Sequence, residues 1–88
     1  MLEDVKKSLR ITNEFFDDEV QDLIDAGELD LELAGVFYDK VDALIKRAII
    51  TYCKANFGYD NPEADRFNDS YVMLKQHLCL SGDYNAPQ

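Results

Sequence analysis

The sequence predicts an all-α domain, a small bundle of about four helices with the last two the longest. Three observations carry that prediction. Apolar residues recur at spacings of three and four along four segments. Gly35, Gly58 and Gly82 fall where those segments stop. No alternating apolar and polar run extends beyond a few residues, so no strand is expected.

The first helix is expected over about 2–10, with Leu2, Val5 and Leu9 on one face. A helix this short needs packing to persist. The second is expected over about 18–34. Asp17 is its candidate N-cap, and Asp18 and Glu19 suit the positive end of the helix dipole. Val20, Leu23, Ile24, Gly27 and Leu31 form its apolar stripe, and Gly35 fits the left-handed position just past its end. The third is expected over about 39–57, stopping at Gly58. Val41, Leu44, Ile45, Ala48, Ile49 and Tyr52 make a broad apolar face, while Ile50 and Phe57 point the other way. A helix apolar on two sides is central to its fold or covered by a partner. The fourth is expected to start at Pro62 behind an Asn61 cap. Phe67, Tyr71, Leu74 and Leu78 give its stripe, and a loose tail is expected from about residue 82.

The 88 residues form one domain by length. A domain this small buries only about 60% of its unfolded surface, so assembly with other chains would help stabilise it. Eighteen Asp and Glu against nine Lys and Arg give a net charge of -9. Such a surface repels phosphate, which argues against tight nucleic-acid binding and against anionic membranes. Glu3, Asp4, Lys6 and Lys7 interrupt any apolar run at the start, so no signal peptide is expected. No segment approaches the roughly 20 apolar residues of a membrane helix. Cys53 and Cys79 form no CxxC pair, which suits a reducing cytosol.

Charge is segregated along the chain. Residues 17–32 hold eight carboxylates and neither Lys nor Arg. At helical spacing Asp18, Asp22, Asp25 and Glu32 share the face opposite the apolar stripe. Leu29 lies within that face and Leu33 beside it. A solvated face explains the carboxylates. Two leucines among them point instead to a protein contact surface with an apolar centre and a charged rim. Asp25 to Glu32 faintly resembles a calcium loop, but its spacing is wrong and it lies inside a helix. Lys40, Arg47 and Lys54 recur every seven residues, giving an expected basic stripe on the third helix. Such a stripe is either solubilising charge or the surface that meets the acidic helix of a neighbouring copy.

Chemistry has little foothold. His77 and Cys79 are too few for a zinc site, and Cys53 has no suggested base. There is no phosphate-binding glycine loop, GxSxG or HExxH. No catalytic, cofactor-binding or metal-binding residue is expected.

Specific strings go further. Leu2-Glu3-Asp4-Val5-Lys6 followed by Leu9-Arg10-Ile11 resembles the opening of the phage head–tail connector, or DNA-packaging adaptor, family. The acidic segment 17–24 is similar to that family's second helix. The fullest match is Leu44-Ile45-Lys46-Arg47-Ala48-Ile49-Ile50-Thr51-Tyr52 with Lys54-Ala55-Asn56-Phe57-Gly58. Leu74-Lys75 and the stretch from Leu78 to Gly82 resemble its closing helix. The resemblance spans nearly the whole chain and rests on order and spacing rather than on one motif. It implies a non-enzymatic subunit of a homo-oligomeric ring below the portal of a tailed phage or prophage. The ring extends the DNA channel without sequence-specific binding and docks tail-completion proteins. The implied location is the virion head–tail junction, reached from the host cytoplasm during assembly, with no membrane contact and no cofactor. Subunit contacts are then expected between Lys40, Arg47, Ile50 and Lys54 of one copy and Asp18, Asp22, Asp25, Leu29, Glu32 and Leu33 of the next. The alternative is a small acidic helical regulator or adaptor that binds a basic protein.

Overall fold

The computed structural model describes residues 1–58 and 61–84. Four helices follow in order: α1 (Leu2–Leu9), α2 (Asp17–Leu33), α3 (Ala43–Asn56) and α4 (Ala64–Leu80), then a 3-10 turn (Gly82–Tyr84). No strand occurs among the described residues. The all-α fold is as expected, but α2 and α4 are the longest, at 17 residues each, and α3 has 14.

The difference in α3 has one cause. Asp42 caps it, with Oδ1 accepting from the Ile45 amide at 2.9 Å. The helix therefore starts at Ala43 rather than near 39, and Lys40 and Val41 lie ahead of it. Val41 and Leu44 are exposed rather than part of the core face. Asp42 also accepts from the Tyr84 hydroxyl through Oδ2 at 2.5 Å, and the Phe37 amide donates to the Tyr84 carbonyl at 2.8 Å. Tyr84 is buried, so the expected loose tail is tied down through residue 84. The expectation for 85–88 lies outside the described residues.

Local backbone chemistry sets the other ends. The Leu9-Arg10-Ile11 string is a helix stop. Arg10 adopts the left-handed conformation at φ 61, with Arg10 N–H to Lys7 O at 3.1 Å and Ile11 N–H to Lys6 O at 2.9 Å. Gly35, at φ 92, makes the same stop for α2, with Val36 N–H to Leu31 O at 2.9 Å and Gly35 N–H to Glu32 O at 3.0 Å. Asp17 is not the cap of α2 but its first residue. Its carboxylate turns away to the Lys6 ammonium, 2.7 Å off, and Phe16 precedes the helix without a side-chain bond. Asn61 braces the approach to α4, accepting from the Glu63 amide at 3.1 Å and donating to the Lys54 carbonyl at 2.6 Å. The helix itself begins two residues past Pro62, at Ala64.

α3 is the centre of the bundle. Ile45, Ala48, Ile49 and Cys53 are fully buried, and Thr51 is buried with its hydroxyl donating to the Arg47 carbonyl at 2.8 Å. Val5 of α1, Val20, Ile24 and Leu31 of α2, and Tyr71 and Leu78 of α4 complete the core with Val36. Each such side chain contributes about 1.5–3 kcal/mol when fully buried. Ile50 and Phe57 are not fully outward. Both are half-buried against this core, and Phe57 meets Phe16 edge to face at 5.5 Å. The two-sided apolar character of α3 is thus used within the fold, by α1 and the segment before α2 on one flank and α4 on the other.

Candidate assembly surfaces

α2 packs on α3 through Gly27, which is buried against the Tyr52 ring. That seating turns Asp18, Asp22, Asp25, Leu29, Glu32 and Leu33 outward together, and all six are exposed. Leu29 is 54% and Leu33 79% exposed. The Gln21 amide donates to Asp25 at 3.0 Å and leaves the remaining carboxylates facing solvent. Below Leu29 lies an open groove of about 500 Å³, lined by Asp25, Glu28, Leu29, Glu32, Val36, Phe37 and Tyr38. Burial, followed by the nearby Glu28 and Glu32 carboxylates, raises the Tyr38 hydroxyl above the ordinary tyrosine range.

The basic stripe comes apart in the fold. Lys40 lies in the bend before α3. Arg47 is exposed on α3. Lys54 is half-buried, its ammonium 5.4 Å from the Phe67 ring centre. Arg47 instead joins residues of α4: it borders a groove of about 380 Å³ with Ser70, Met73, Leu74 and His77. Met73 is 70% and Leu80 88% exposed. The seven-residue spacing of Met73 and Leu80, off the Phe67–Leu78 stripe, is the signal that could have marked this outer side of α4.

Three ion pairs escaped the sequence because their partners are remote and neighbour no motif: Lys46 with Asp4 at 3.3 Å, and the two that follow. Lys6 is buried and pairs with Asp17; that hydrogen bond raises the lysine above its ordinary value despite burial. Asp30, on the edge of the acidic helix, turns to α4. It accepts from the Tyr71 hydroxyl at 2.5 Å and from the Lys75 ammonium at 3.0 Å. Desolvation works against the Asp30 charge, but the bonds from Tyr71 and Lys75 outweigh it and hold the carboxyl below its ordinary range. The same carboxylate, added to burial, pushes the Tyr71 hydroxyl upward.

The sign of the pH effect follows. The folded Asp30 releases its proton at a lower pH than the unfolded one, whose value is about 3.9. Its contribution to stability is present above that value and is lost as pH falls through it and on through the lower folded value. Asp30→Asn is therefore expected to be less stable than the parent near neutrality, with the gap closing in acid. Thermal denaturation from about pH 7 to about pH 2 reads this directly. A gap that stays constant over the range would contradict the assignment.

The cysteines carry no evident chemistry. Burial pushes the Cys53 thiol up to about 12, far from a reactive thiolate. Cys79 donates to the Ala34 carbonyl at 3.1 Å, joining α4 to the end of α2. His77 is exposed. Among the described residues no group of three or more His, Cys, Asp or Glu is placed to hold a metal ion, and no helix is long and apolar enough to cross a membrane. What the surface offers is contact area: an acidic helix face with leucines, and a groove that sets Arg47 beside exposed methionine.

The fold and surface define a small all-α domain, and the comparison with protein families is more specific. The model of the phage connector protein family matches residues 1–85, and the chain belongs to that family. No curated protein and no solved structure matches it.

Proposed function

We propose that the protein is a non-enzymatic head–tail connector subunit of a tailed phage or prophage. Copies form a ring below the portal, lengthen the DNA channel and give tail-completion proteins a docking surface. The observation that carries this reading is the family match over residues 1–85. Two features support it. Leu29 and Leu33 stand exposed together among carboxylates. The net charge of -9 disfavours adhesion to DNA, which suits a passage through which the genome must slide.

Deleting the gene from the phage or prophage that carries it tests the proposal. Heads are expected to fill with DNA yet remain tailless, and supplying the chain in trans restores tailed particles. Normal tailed virions without the chain would overturn it.

A further inference from the structure

Two surfaces of this chain differ in shape and charge. α2 lies on the Tyr52 side of α3, where Gly27 allows close approach. Its outer face is convex, with Leu29 and Leu33 at the centre and Asp25 and Glu32 within a turn of Leu29. Arg47 is five residues before Tyr52, about 140° around α3, so its groove with α4 opens on the side away from α2. That groove is concave, with Met73 and Leu74 as apolar lining and Arg47 and His77 as its basic members.

Charge narrows the choice of occupant. A chain of net charge -9 repels its own copies unless its few cations meet carboxylates. Among the described residues Lys6, Lys46, Arg66 and Lys75 are engaged in ion pairs within the fold, whereas Lys7, Arg10, Lys40, Arg47 and Lys54 are not; of these five, Arg47 is the one that borders the groove with exposed Met73. Arg47 also sits beside exposed apolar surface, as an interface cation does.

We propose that the Leu29–Leu33 face of α2 seats in the α3–α4 groove of the next copy, with Asp25 and Glu32 meeting Arg47 and His77. This deepens the ring reading above and rests on it. The two patches are different and lie on opposite sides, so the contact is head to tail, the kind that closes into a ring when repeated. The leucines and Met73 supply the buried area, and the charged rim sets the register.

The test uses the full chain carrying a benzoylphenylalanine photoprobe at position 29, produced with the phage's other proteins. Half of the copies are isotopically heavy. Heads are purified and irradiated, and the cross-linked peptides are mapped by mass spectrometry. The expected result is mixed heavy–light links from position 29 to the Arg47 peptide or the Ser70–His77 peptide. Links between copies at any other place would overturn this contact while leaving a ring. Links only to other proteins, or none, would overturn both the contact and the copy–copy reading. A probe at position 33 repeats the mapping in case the first disturbs seating. Arg47→Glu is expected to cut incorporation into heads by about tenfold or more. Adding Asp25→Lys and Glu32→Lys to the same chain restores part of it. Normal incorporation of the folded Arg47→Glu chain, or no restoration by the reversed pair, counts against the contact.

Discussion

Ile49→Ala is expected to destabilise the domain by about 2–5 kcal/mol, the range for deleting a fully buried aliphatic side chain. Ile49 has no exposed surface and lies on the central helix, whose neighbours Ile45, Ala48 and Cys53 are also fully buried. With α1, α2 and α4 all packed on α3, there is no loose element to close the space left behind. Small domains hold about 5–15 kcal/mol in total, so the variant sits close to unfolding. Urea denaturation followed by circular dichroism measures this. The midpoint should fall while the slope is unchanged, because the surface exposed on unfolding is similar. A loss below about 1 kcal/mol would mean that the α3 core is less tightly filled than described.

Gly27→Val is expected to cost about 1–3 kcal/mol by overpacking. A β-carbon at Gly27 stands 3.1 Å from Tyr52 Cδ1, before valine's two further carbons are counted. Tyr52 cannot retreat freely, because it meets Tyr71 edge to face at 5.1 Å and Tyr71 is bonded to Asp30. The strain therefore passes into the contact between α2 and α4. Gly27→Ala separates packing from propensity: alanine gains up to about 1 kcal/mol in a helix, which offsets the single tight contact. Denaturation of both variants reads the difference. A valine variant as stable as the parent would show that α2 and α3 are not held at this distance.

Much of the fold was legible because helical periodicity and stop signals are local. Val20, Ile24 and Leu31 on α2, and Tyr71 and Leu78 on α4, fell on stripes and are buried. Gly35 was readable as a stop because its position requires positive φ. The errors came where a local signal competed with a remote partner. Asp39, at the expected start of α3, lost to Asp42, which is held by both Ile45 and Tyr84. Asp17 offered a cap by sequence, but Lys6 drew its side chain elsewhere. Arg10 stops α1 without being glycine, and composition does not announce that.

The candidate surface was legible in part. The outward set from Asp18 to Leu33 follows from one helix and needs no tertiary knowledge. The seven-residue basic repeat needed one continuous helix, and the late start of α3 removed Lys40 from it. The groove that joins Arg47 to Met73 and His77 depends on how α4 lies on α3, which no pattern within either helix encodes. Ile50, expected to point away from the apolar face of α3, is half-buried against the core.

The connector account is tested most directly by cryo-electron microscopy of the virion neck. Reconstruction of particles from the phage that carries this gene is predicted to show several copies of the four-helix domain as a closed ring between portal and tail, surrounding the DNA path. A neck that contains no copy of the chain, or holds it singly and off the DNA path, would contradict the account.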